Sequence, residues 1–81
     1  MFKVQFSTQQ SVLDFVGVAV RQEPAIDAIH GRYRLNAKSI LGLFSLDLST
    51  PVSVLIHGNE EQEEKFISDL KEKGIEATIC E

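Results

Sequence analysis

Phe2-Lys3-Val4-Gln5-Phe6-Ser7-Thr8-Gln9-Gln10-Ser11-Val12-Leu13-Asp14-Phe15-Val16 changes its apolar period part-way, and that change decides the fold class. Phe2, Val4 and Phe6 alternate with Lys3 and Gln5, the period of a strand with one buried face. From Val12 onward the apolar residues recur as Val12, Phe15, Val16 and Ala19, which is helical spacing, and Leu13 and Val20 widen the stripe. The helix is expected to run to about Gln22, because Pro24 biases Glu23 out of the helical region. Either Ser7, with Gln10 three positions on, or Thr8 suits its N-cap. Gly17 inside the helix costs about 1 kcal/mol relative to alanine and implies close packing against a neighbour.

The same two periods organise the rest of the chain. Residues 25–30 and 33–37 read as a hairpin of two strands turning at Gly31, with Tyr33, Leu35 and Ala37 on one face. Residues 39–46 are apolar at 40, 41, 43, 44 and 46, too dense for a half-exposed strand, and Ser39 can cap a short helix there. Val52, Val54 and Ile56 alternate with Ser53, Leu55 and His57, a fourth strand over 52–57. Asn59 with Gln62 forms a capping box for a last helix whose core stripe is Phe66, Ile67 and Leu70, and Gly74 stops it. Glu61–Lys65 and Asp69–Lys73 are favourable i,i+4 pairs on its wet face. The order β-α-β-β-α-β-α, with a tail over 75–81 able to add an extended segment, suits an α+β fold: a four-stranded antiparallel sheet with helices gathered on one face.

Composition narrows the function classes. Eighty-one residues make one domain, and 43% hydrophobic residues with a net charge of −4 are ordinary for a globular chain. No apolar run approaches the ~20 residues of a membrane helix, the N-terminus has no signal-peptide core, and the single cysteine, Cys80, excludes an internal disulfide. A cytoplasmic protein without a membrane partner is expected. Residues 60–81 carry eight carboxylates against three lysines, a net of −5, while residues 1–59 stand at +1. So acidic an end argues against nucleic acid as partner, although Arg32, Arg34 and Lys38 can form a local basic patch.

Asn36-Ala37-Lys38-Ser39-Ile40-Leu41-Gly42-Leu43-Phe44-Ser45-Leu46-Asp47-Leu48 resembles the regulatory-serine segment of HPr, the phosphocarrier of the bacterial phosphoenolpyruvate-dependent sugar phosphotransferase system. Lys38-Ser39-Ile40-Leu41-x-Leu43-x-x-Leu46-Asp47 fits that segment residue by residue, and the element order read above is also the HPr order. The resemblance implies an open-faced β-sandwich, a Ser39 that a dedicated kinase phosphorylates, and an apolar partner face in which Ile40 and Leu43, beside Lys38, make the contacts. The family's other landmark is missing. HPr carries its phosphoryl group on a histidine followed by an arginine two positions on, and here Thr8 and Gln10 occupy those places. Thr8 has no imidazole and Gln10 has no charge to hold a phosphate. The chain thus looks like a histidine-lacking HPr homologue, non-enzymatic and without a cofactor, whose expected partners are an HPr kinase or a regulator of carbon catabolite control.

The residues themselves leave two other readings open: a small-molecule-binding α+β module, and a phosphocarrier with a non-standard acceptor. His30 and His57, each followed by glycine at a strand end, are read as exposed turn residues with too few helpers for catalysis or metal binding. The Glu60-Glu61-x-Glu63-Glu64 run complements a helix dipole. Ser39 is a cap in every reading.

Overall fold

The computed structural model of the chain describes residues 1–44 and 49–79, and the side chains of these other than Ile40 and Leu41. The elements are β1 (Phe2–Val4), α1 (Gln9–Ala19), β2 (Ile26–His30), β3 (Tyr33–Asn36), α2 (Ile40–Phe44), β4 (Val52–Ile56), α3 (Glu60–Glu72) and β5 (Ala77–Ile79). They form one five-stranded sheet of order β3-β2-β4-β1-β5 in which every neighbouring pair is antiparallel. The expected four strands are present at slightly shorter bounds, and the tail supplies a fifth. Lys3 stands opposite Thr78 and Val4 opposite Ala77, so β5 closes the β1 edge. That pairing joins the two ends of the sequence, and no local pattern announces it.

Alternation within the strands separates two faces. Phe2, Val4, Ile26, Ala28, Val52, Val54 and Ile56 are buried on one face against Val12, Phe15, Val18 and Ala19 of α1 and Phe66 and Leu70 of α3. Phe66 lies between Phe2 and Phe15 with each ring centroid 5.7 Å from its own, and Phe6 meets Phe15 edge-on at 5.3 Å. Lys3, Asp27, Ile29, Ser53 and Leu55 occupy the uncovered face. Among the described residues no helix is long and apolar enough to cross a membrane.

Several helical expectations change. α1 stops at Ala19 rather than Gln22, with Val20 as its C-cap; the chain tightens into a turn in which the Arg21 amide donates to the Val18 carbonyl at 3.2 Å. Its stripe is narrower than the sequence suggests, since Leu13 and Val20 are exposed. Gly17 is also exposed, and a Cβ built on it would meet nothing within 4 Å, so close packing does not account for that glycine. On α3 the Asn59–Gln62 capping box forms as expected, and Gly74 ends the segment in the left-handed region at φ +77°. The i,i+4 ion pairs do not form among the described residues: Asp69 instead accepts from Gln22 Nε2 at 3.2 Å. Gln22 also donates to the Val18 carbonyl, which satisfies the one buried polar side chain of the described core.

Candidate functional site

The start of α1 meets α2, the short helix headed by Ser39, at its far end on the helical side of the sheet. Phe6, Ser7, Thr8, Gln9 and Val12 line a shallow depression with Phe44 and Ser49, so the end of α2 faces the beginning of α1. Phe44 is 41% exposed at its rim.

At the start of α1, Thr8 is the N-cap in extended geometry. Its hydroxyl oxygen accepts from the Ser11 amide at 3.0 Å, and Ser11 Oγ in turn accepts from the Thr8 amide at 3.2 Å. Ser11 thus takes the place that Gln10 would hold in a box built from Ser7. Gln10 turns along the helix and donates to Asp14 Oδ1 at 3.0 Å. Thr8 thus offers a capping hydroxyl rather than an imidazole, and Gln10 carries no charge.

At the start of α2, Ser39 is exposed and its hydroxyl oxygen accepts from the Gly42 amide at 3.3 Å. Its carbonyl accepts from the Leu43 amide at 3.2 Å, the first backbone bond of the helix. The expected cap is therefore present, through a long side-chain bond. Leu43 is fully buried and belongs to the core, which corrects its reading as a partner contact: it is the residue that fastens the short helix down. Phe44, one position on, is the exposed apolar side chain instead. The Ile40 side chain lies outside the described part, as do Leu46, Asp47 and Cys80.

Lys38 is half-buried and its ammonium donates to the Gln22 carbonyl at 2.6 Å, beyond the end of α1. Arg34 meets Asp27 at 2.7–2.8 Å on the uncovered face of the sheet. Two of the three cations of the supposed basic patch are thereby spent on intramolecular contacts in different places. His57 Nε2 donates to the same Asp27 Oδ2 at 2.7 Å. The hydrogen bond from His57, then that from Arg34, holds the Asp27 carboxyl below the ordinary value of 3.8. Sequence reading missed this trio, because it rests on Asp27 pairing with Leu55 across β2 and β4, a register no local motif encodes. His30 Nε2 lies 2.6 Å from the Thr50 hydroxyl. No group of three histidine, cysteine or carboxylate side chains suited to a metal exists among the described residues.

No known family model, curated protein or solved structure matches the chain. The geometry itself is therefore what any functional reading has to rest on.

Proposed function

We propose that the chain is an HPr-like, non-enzymatic regulatory protein of the sugar phosphotransferase system, cytoplasmic, acting through contacts made by the α2 face beside the start of α1. The observation that carries this reading is Ser39: an exposed hydroxyl at the head of a short helix whose own apolar anchor, Leu43, is buried while its neighbour Phe44 is presented outward. The β-α-β-β-α-β-α order of the first seven elements supports an HPr-type open-faced sandwich extended by β5. Closure of the α1 start by Thr8 and Ser11 supports regulation without carriage. Phosphorylation at Ser39 adds about two negative charges at the head of the helix that ends in Phe44 and so alters which protein that helix accepts; the partner is an HPr kinase or a catabolite-control regulator.

Incubation with an HPr kinase and ATP, read by intact mass, tests the proposal. One phosphoryl group is expected on the wild type and none on Ser39→Ala, with no acid-labile label from phosphoenolpyruvate and Enzyme I. Labelling that survives Ser39→Ala, or transfer from Enzyme I, overturns it.

A further inference from the structure

The outer face of α1 carries a feature that the core uses only through Val16 and the Ser39 surface does not use. Leu13 is 42% exposed and Val20 54% exposed, and between them lie the half-buried Val16 and the bare Gly17. These four positions follow the i, i+3, i+4, i+7 spacing of one helical stripe, and Val20 keeps helical backbone angles at the C-cap (φ −67°, ψ −19°). An exposed apolar stripe of this kind marks an interaction surface. The space around Gly17 makes it a point of close approach: nothing within 4 Å meets a Cβ built there.

We propose that this stripe is the interface of a homodimer, occupied by α1 of a second copy running antiparallel. The stripe is close to self-complementary under a two-fold axis through Gly17, as an isologous contact requires. At about 1.5 Å rise per residue, that axis sets Leu13 of one copy within about one residue of Val20 of the other. The same operation sets Asp14 against Arg21 within about one residue, and both flank the stripe on the Gly17 side. Arg21 is already held there, its Nε donating to the Gly17 carbonyl at 3.3 Å. Two opposite charges thus fall together twice, at the two ends of an otherwise uncharged contact. This charge complementarity selects a second copy running antiparallel, since a parallel pair in register would set Asp14 against Asp14 and Arg21 against Arg21. The acidic first turn of α3, with Glu60, Glu61 and Glu63, is no part of the stripe. A surface of one helix is small, so the dimer is weak and concentration-dependent.

Sedimentation velocity from about 10 μM to about 1 mM, the range of weak association, tests the proposal. The wild type is expected to pass from monomer to dimer. Val20→Glu is expected to weaken the dimer at least about tenfold by burying a charge. Asp14→Arg and Arg21→Asp are each expected to weaken it about threefold or more, with the double variant returning near the wild type. Gly17→Leu adds a stronger helix former on an open surface, so it is expected to raise the melting temperature while wedging the dimer apart. Melting curves of every variant confirm that the fold is retained. A wild type that stays monomeric throughout overturns the proposal, even if Val20→Glu then proves to disrupt a different protein partner. A dimer indifferent to Val20→Glu, or a double variant no better than the single reversals, also overturns it.

Discussion

The starts of α1 and α2 are built in opposite ways. At α1 an 11-residue helix begins with a closed reciprocal box, in which Thr8 and Ser11 satisfy one another's amides at 3.0–3.2 Å. At α2 a single exposed hydroxyl reaches one amide at 3.3 Å, and the described helix has five residues. The long helix therefore owes its start to its own side chains and its position to Val12, Phe15, Val18 and Ala19. So short a helix as α2 is not stable by itself and, among its described side chains, Leu43 is the buried anchor. An end closed by reciprocal capping has its side chains committed to holding the helix start. The exposed serine of a tethered turn can be altered without disturbing the core.

The largest effect that can break this comparison lies at that anchor. Leu43→Ala is expected to destabilise the fold by about 2–5 kcal/mol, as removal of a fully buried leucine does. Denaturant unfolding would show it as a lowered midpoint. A cost under about 1 kcal/mol, the value of a surface site, would mean that α2 is not held by Leu43 and that the contrast with α1 is misdrawn.

Capping at α1 gives the next effect. Thr8→Ala removes the side-chain oxygen bonded to the Ser11 amide and also strips Ser11 of its reciprocal partner, so a loss of about 1–2 kcal/mol is expected, the upper part of the capping range. Thr8→Ser retains the oxygen and is expected to stay near wild type. Equal losses in the two variants would show that the hydroxyl is not what closes the helix.

What could be read without the structure divides along the same line between local and distant causes. The α1 and α3 stripes, the Asn59–Gln62 box and the Ser39 cap are consequences of residues three or four positions apart, and spacing reveals them. Leu43 differs from its expectation as a partner contact because the apolar spacing over 40–46 does not tell whether it points inward; the position of α2 against β3 and α1 decides it. Gly17 was misread for a related reason: a glycine in a helix is equally consistent with a crowded neighbour and with none. The pairing of β5 with β1 and the meeting of His57 with Asp27 depend on strand register between segments far apart, so they leave no local signature. Of the candidate site, the residues were identifiable but their division into buried and presented was not.

The uncovered face of the sheet, remote from both helix starts, sharpens the comparison by serving as a region held by charge rather than by capping. Asp27→Asn is expected to cost about 0.5–1 kcal/mol at neutral pH, since the pair to Arg34 and the bond from His57 are partly exposed. The sign of the pH dependence follows from the lowered carboxyl. Its contribution is fully present above the ordinary value of 3.8 and is lost as pH falls through the lower value of the folded state. The melting-temperature gap between wild type and Asp27→Asn should therefore be present at about pH 5 and shrink as pH is lowered below about 4. A gap that widens as pH falls below about 4 would contradict the lowered carboxyl.

The smallest stability effect, and the most informative, belongs to Ser39. Its bond to the Gly42 amide is long and solvent-exposed, so Ser39→Ala is expected to cost only about 0.5 kcal/mol, the low end for a cap and well below Thr8→Ala. Ser39→Asp should be nearly neutral, because aspartate caps as well as serine. Melting curves of the three Ser39 forms should therefore almost superimpose, whereas those at position 8 should not. If Ser39 is nevertheless the controlling residue of the α2 face, partner recovery in a pull-down should separate Ser39→Asp from the wild type and Ser39→Ala despite those matching curves. The charge sits at the head of the turn that presents Phe44, where it changes what a neighbouring protein meets without changing what the core holds. Identical recovery from all three would reduce Ser39 to a weak cap and remove the functional side of the contrast with Thr8. A Ser39→Ala loss as large as that of Thr8→Ala would remove its structural side.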